Sequence, residues 1–196
     1  MKPIERSEIL GIGEYETVRD RFRARVIGEK KVRRVQLGPR ATCVFENRDT
    51  VLLQIQEMLR TERITRPAAV DHEIETYNAL LPGERELSAT VMVEIDDKTE
   101  REAFLDEARG MEKAVGLVVD GERSAATFDQ ARVDPAHLSA VLYFKFPLTE
   151  RAAAHVKARA STGDAKIELV VDHAAYTTRA SLPPETVRSL AEDLTS

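Results

Sequence analysis

The stretch Ala41–Ile64, ATCVFENRDTVLLQIQEMLRTERI, limits the fold more than any other part of the chain. Ala41–Phe45 reads as a buried strand, in which Cys43 alternates with Phe45. The polar corner Glu46-Asn47-Arg48-Asp49 follows, and then a helical pattern begins. Successive helical residues advance by about 100°. On that wheel Val51, Leu52, Ile55, Met58 and Leu59 fall in one arc, with Gln54 and Gln56 at its borders. Glu57 and Arg60 lie opposite, three residues apart, where they can pair. Asn47 or Asp49 is placed to cap the helix, because a short polar side chain accepts from its free N–H groups. A strand feeding straight into an amphipathic helix must lay that helix on a sheet, so the chain is committed to α and β together.

The remaining periodicities extend this picture. Residues 1–13 read as a lead-in segment, with Gly11 and Gly13 breaking any helix around Ile9-Leu10. Tyr15, Val18, Phe22 and Val26 recur at three-to-four spacing and predict a helix from Glu14 that weakens at Gly28. Val32–Leu37 alternates as a strand, and Gly38-Pro39 turns it toward Ala41. Pro67 opens a second helix to Leu81, with Val70, Ile74, Tyr77 and Leu81 on its apolar face. The same residues also alternate, so a strand competes there, and the helix is preferred. Leu87–Ile95 is a strand, and Asp97 with Glu100 makes a capping box for a helix to Arg109. Val115–Val119 and Arg123–Phe128 form a hairpin about Asp120-Gly121. After a polar connection at 129–138 come a strand at Leu142–Phe146, a short helix capped by Thr149, a hairpin from Ile167 to Leu182 and a terminal helix from Pro183. The expected fold is α+β, a single domain over residues 1–196, with a mainly antiparallel sheet of about six to eight strands covered by helices.

Composition excludes several classes. Cys43 is the only cysteine, so neither an intrachain disulfide nor a cysteine-rich metal site can form. It reads as a small buried hydrophobe, with a reactive thiol as the minor alternative. The N-terminus lacks an apolar signal region, and no apolar run reaches the ~18 residues of a membrane span. A cytoplasmic protein without a membrane partner is expected. The net charge is −5, which argues against nucleic acid as a partner. The charge is nevertheless uneven. Nine basic residues against two acids lie between Arg19 and Arg40, and twelve acids against five bases between Glu86 and Asp129. Two readings stand: solvated faces, or surfaces that attract each other, a second copy of the chain or a partner.

Nucleotide-loop, hydrolase and zinc-protease signatures are absent. His137 and His155 read as inert. The candidate ligand site is therefore the corner and its neighbours: Glu46, Asn47, Arg48, Gln54, Gln56, Glu57, His72, Tyr77, Asn78 and His173. A strand ending where a helix begins leaves outward N–H groups that suit an anion, and Arg48 adds a fork for carboxylate or phosphate. A metal held by Glu46 or Glu57 with His72 and His173 is chemically feasible. The structural alternative has equal weight: Asn47 caps, Arg48 pairs with Asp49 or Glu46, and the glutamines satisfy buried backbone. No catalytic residue or cofactor is assigned by the residues.

The segments FRARVIGEKKVRRVQLGP, FENRDTVLLQIQEMLRTERI, HEIETYNALLPGERELSATVMVEI and VDHAAY resemble a bacterial family of uncharacterised proteins, domain of unknown function family 3501. The resemblance runs from Ile9 to Tyr176. It departs at Ala79 and Ala174, where the family pattern carries proline after Asn78 and His173. The resemblance implies genomic neighbourhood with rubrerythrin-like di-iron proteins and iron–sulfur oxidoreductase subunits. It thus implies an accessory or partner role beside redox or peroxide metabolism. It carries over no catalytic residues. The alternative is a small-molecule- or metal-dependent enzyme using the corner at Glu46–Arg48.

Overall fold

A computed structural model describes residues 1–129 and 137–195. The middle of the polar connection expected at 129–138 lies outside the described residues. The elements run α1 (Ile12–Val32), β1 (Arg34–Leu37), β2 (Ala41–Glu46), α2 (Arg48–Thr61), α3 (Pro67–Asn78), β3 (Glu86–Val93) and α4 (Lys98–Glu107). They continue with β4 (Val115–Val119), β5 (Glu122–Ala125), β6 (Val141–Pro147), α5 (Glu150–Ala158), β7 (Ile167–His173), β8 (Tyr176–Ser181) and α6 (Pro184–Asp193). The fold is α+β and its described strands are all antiparallel.

The strands form two four-stranded sheets, ordered β1-β2-β3-β6 and β5-β4-β7-β8, where the sequence suggested one. The hairpins β1–β2, β4–β5 and β7–β8 are local, but β3 pairs with β6 and β4 with β7 across intervening helices. The sheets meet along their edges. Thr127 bridges to Lys145 on one side. On the other, the Tyr176 hydroxyl donates to the Leu37 carbonyl and accepts from the Arg40 amide at 3.2 Å. Gly38 sits at this joint with φ +69°, and a Cβ there would stand 2.5 Å from the Tyr176 hydroxyl, so no larger residue fits.

Alternation decides the two cores. Cys43, Phe45, Leu87, Val91, Phe144 and Phe146 point inward and join Leu117, Ile167 and Leu169 of the second sheet. Phe104, Leu105, Val156, Val187 and Leu190 of α4, α5 and α6 complete that cluster. The burial reading of Cys43 holds: it is inaccessible, and burial pushes its thiol well above the usual range. On the outer face of the first sheet, Ile4 of the lead-in packs with Val51, Ile55 and Leu59 of α2 and Val70, Ile74, Leu80 and Leu81 from α3 and the turn after it.

Several boundaries moved for tertiary reasons. Helix α1 runs through Gly28 to Val32, because Val26 is wholly buried and the Val32 carbonyl accepts from Thr186 of α6 at 2.6 Å. An interior glycine costs only about 1 kcal/mol. Helix α3 stops at Asn78, whose amide accepts from the Ile4 N–H and donates to the Ile4 carbonyl, each at 2.9 Å. The helix reading of this segment is the one realised. Strand β5 ends at Ala125, not Phe128, because the chain crosses there to β6. Asp97 caps α4 by accepting from the Glu100 N–H at 2.8 Å, and Thr149 caps α5 through Ala152 at 3.2 Å. No helix among the described residues is long and apolar enough to cross a membrane.

Candidate functional site

The corner folds as its local chemistry dictates. Asn47 is extended, its Oδ1 accepts from the Thr50 amide at 3.0 Å, and the Thr50 hydroxyl accepts from the Asn47 amide at 2.9 Å. This reciprocal cap satisfies donors that a helix start leaves free. The Asn47 side chain also donates to Glu29 of α1. Glu46, at the end of β2, is 2% exposed. Its carboxylate accepts from the hydroxyls of Thr50 at 2.5 Å and Thr90 at 2.6 Å, and from the Gln54 amide at 3.1 Å. Three neutral donors thus serve one buried acidic group.

The next ring of candidates holds the lead-in. Arg48 forks onto Glu8 and reaches the carbonyl of Lys2 at 3.1 Å, in place of the expected Asp49 or Glu46. Gln56 accepts from the Leu10 amide at 2.8 Å and donates to its carbonyl at 3.2 Å. Asn78 treats Ile4 the same way. Residues 1–10 therefore follow α2 and α3 through side-chain amides that imitate a neighbouring strand. Gln56→Leu is expected to lose about 1–3 kcal/mol, since Leu10 keeps an unserved amide and carbonyl. Native-state proteolysis should cut near Leu10 well before the rest of the chain opens. An unchanged cleavage pattern would count against this clamp.

Glu57 does not pair with Arg60. Arg19 of α1 meets it through two bonds of 2.8 Å, and the Tyr15 hydroxyl donates at 2.7 Å. Arg19 chiefly, and then Tyr15, hold the Glu57 carboxyl below its usual range, while burial and Glu57 raise the Tyr15 phenol. Arg60 instead binds Glu16 at 2.6 Å. These contacts set α1 across α2 and leave a groove of about 410 Å³ between them. Leu10, Val18, Phe22 and Leu52 line it, with Arg21 and Arg25 beside them. The guanidinium of Arg25 lies 5.3 Å from the centre of the Phe22 ring. Tyr15 and Gln56 reach its base. Arg21 at the groove, and Arg23, Lys30 and Lys31 elsewhere on α1, form no ion pair among the described residues.

The remaining candidates lie elsewhere. His72 is exposed on α3, and Tyr77 packs against the outer cluster. His173 ends β7 in the second sheet, where its Nδ1 accepts from the Ala175 amide at 3.2 Å. Among the described residues no three His, Cys, Asp or Glu side chains gather as a metal site would require. Of the ten residues, Glu46, Asn47 and Gln54 form one network. Arg48, Gln56 and Asn78 form a second, and Gln56 with Glu57 supports the groove. The groove itself was half legible: Val18 and Phe22 belong to the α1 stripe but stay half-buried, and that shortfall in burial was not visible in the sequence.

Two antiparallel sheets joined along their edges, a helical layer and an N-terminal clamp define an α+β class of protein. The chain belongs to the family described as "Protein of unknown function (DUF3501)", which matches residues 3–194. It is also similar to the crystal structure of a novel protein of unknown function from Burkholderia pseudomallei K96243. That likeness has 32% identity and a TM-score of 0.90, covering 98% of this chain and all of the other. No curated protein matches it.

Proposed function

We propose that this is a cytoplasmic accessory protein that docks an acidic redox protein, rubrerythrin-like or of the iron–sulfur oxidoreductase type, on the α1 groove. One observation carries the reading: an apolar groove lies beside the unpaired cations of α1, while the basic residues around it are already paired. Arg19 is held by Glu57 and Arg25 by Asp49. Arg21, Arg23, Lys30 and Lys31 are left to face an incoming partner. An acidic surface with one or two apolar side chains complements this patch in charge and shape. The redox identity of the partner comes from the family resemblance and the genomic neighbourhood it implies.

The corner then serves as a support, with Gln56, Glu57 and Arg48 fixing the groove's walls. An enzymatic role at Glu46–Arg48 would need free groups, and Glu46 and Arg48 spend theirs on Thr50, Thr90, Gln54 and Glu8.

The purified protein is expected to bind a rubrerythrin-like protein from the same genome at low salt and to release it near ~0.5 M salt, where exposed charges are screened. The pair Arg21→Glu and Arg23→Glu should weaken binding at least about tenfold. Failure to bind either redox class at any salt overturns the reading. Salt-sensitive dimerisation without partner binding would assign the groove to a second copy, and salt-sensitive capture of an unrelated oligonucleotide would assign it to nucleic acid.

A further inference from the structure

We propose that the cavity along β6 is a binding site for a small, largely apolar molecule carrying one protonated amine, with Glu112 as the anionic partner. This site is separate from the α1 groove. The cavity measures about 570 Å³, within the range of small-molecule pockets. It lies between the end of α3, helix α4 and the edge strand of the first sheet. Leu80, Leu105, Leu138, Leu142 and Phe144 supply its apolar lining.

Glu112 makes this more than a gap. It lies in the 3-10 turn Met111–Ala114 that leads into β4, is 4% exposed and lines the cavity. Its Oε2 has no hydrogen-bond partner, and it is the one buried side-chain oxygen or nitrogen so placed among the described residues. Elsewhere the fold serves such atoms fully: Glu46 alone receives three donors. A buried acceptor without a donor is costly, so an unserved carboxylate in the wall of a cavity is a position for a donor that arrives from outside.

The other charged walls favour a cation over an anion. Arg101 donates to the Ile95 carbonyl at 2.9 Å. Lys145 donates to the Leu81 carbonyl at 3.0 Å and pairs with Glu86 at 3.2 Å. Both are tied to the protein, whereas the Glu112 oxygen is not. An ammonium on an apolar body would place its charge on the Glu112 carboxylate and its hydrocarbon against the leucines and Phe144. No covalent step is involved.

The probe is 1-naphthylmethylamine, compared by calorimetry with 1-naphthalenemethanol and 1-naphthoate. The amine is expected to bind at or below ~1 mM, with the alcohol and the acid at least about tenfold weaker. In Glu112→Gln, the amine should lose about tenfold or more while the alcohol is unaffected. Leucine methyl NMR gives a readout that does not depend on a variant folding: the amine should shift Leu105, Leu138 and Leu142. Equal binding of amine and alcohol, full amine affinity in a folded Glu112→Gln, or a titration that leaves those three methyls unmoved would each overturn the proposal.

Discussion

Replacing Arg33 with methionine is expected to remove about 3–5 kcal/mol of folding stability. Arg33 follows α1, and its side chain is 1% exposed, as its partner Asp193 is 5%. The guanidinium donates to the Phe45 carbonyl at 2.8 Å, the Glu46 carbonyl at 3.1 Å and the Ser189 hydroxyl at 2.7 Å. It also forks onto the Asp193 carboxylate. One side chain thus joins the end of α1, the end of β2 and the last turn of α6. Removing it strands a buried carboxylate and two carbonyls together. Replacing both charges, Arg33→Met with Asp193→Leu, should recover most of the loss, because a buried pair exchanged for well-packed apolar groups is often nearly neutral. Urea denaturation of the two single variants and the double variant measures this. A loss below about 1 kcal/mol for Arg33→Met would sink the argument, since surface pairs fall in that range.

The same pair fixes a pH dependence. Burial pushes the Asp193 carboxyl up to about 6 against the pull of Arg33, from an ordinary value of 3.8. The folded state therefore binds this proton more tightly than the unfolded chain. The contribution is fully present below the unfolded value and is lost as pH rises through about 6. Glu57 behaves oppositely: its folded value is lowered from 4.5, so its contribution is lost as pH falls through that region. Wild type should gain stability relative to Asp193→Asn as pH falls from about 6 toward 4.5, before the carboxylate loss sets in.

What could be read in the chain was what neighbours in sequence decide. The Asn47 and Thr149 caps rest on contacts within a few residues, and both formed; of the α2 arc, Val51, Ile55 and Leu59 are buried, while Leu52 and Met58 are half-buried and Leu53 and Gln56 are buried beside them. Glu57 shows the limit. Its expected partner Arg60 was three residues away and on the same face, yet a bidentate fork from Arg19 and the Tyr15 hydroxyl outcompetes a single exposed i,i+3 pair. Arg33 was read only as part of an alternating strand, because alternation reports which face a side chain occupies and not which helix later covers it. The division into two sheets was hidden for a related reason. The strands were placed with some ends shifted, at Val32 and at Phe128, but the pairing of β3 with β6 is settled by distant hydrophobic surfaces. Within the corner, the kinds of groups were legible and their destinations were not. Glu46 could have faced solvent at a strand end; Thr90, on a strand 44 residues later, turns it inward.

Glu46→Ala is accordingly expected to cost about 3–5 kcal/mol, as much as a large truncation in an apolar core. Two physical effects add. The truncation leaves a void beneath α2, and it strands the donors that met the carboxylate. The donors are not equally harmed. Thr50 keeps a second acceptor, the Asn47 carbonyl at 3.0 Å, and Gln54 is half-buried. Thr90 is 7% exposed and its hydroxyl donates to Glu46, so it bears most of the polar loss. Thr90→Val alone should cost about 1 kcal/mol. Combined with Glu46→Ala it should cost less than the sum of the two, because the second change removes a donor that the first had already stranded. That sign of coupling separates a structural acid from a functional one. A carboxylate kept for a ligand would be held against the fold's interest, and its truncation would leave stability unchanged or raise it. A thermal denaturation series of the wild type, both single variants and the double variant therefore decides whether the corner is a lock on α2 or a site.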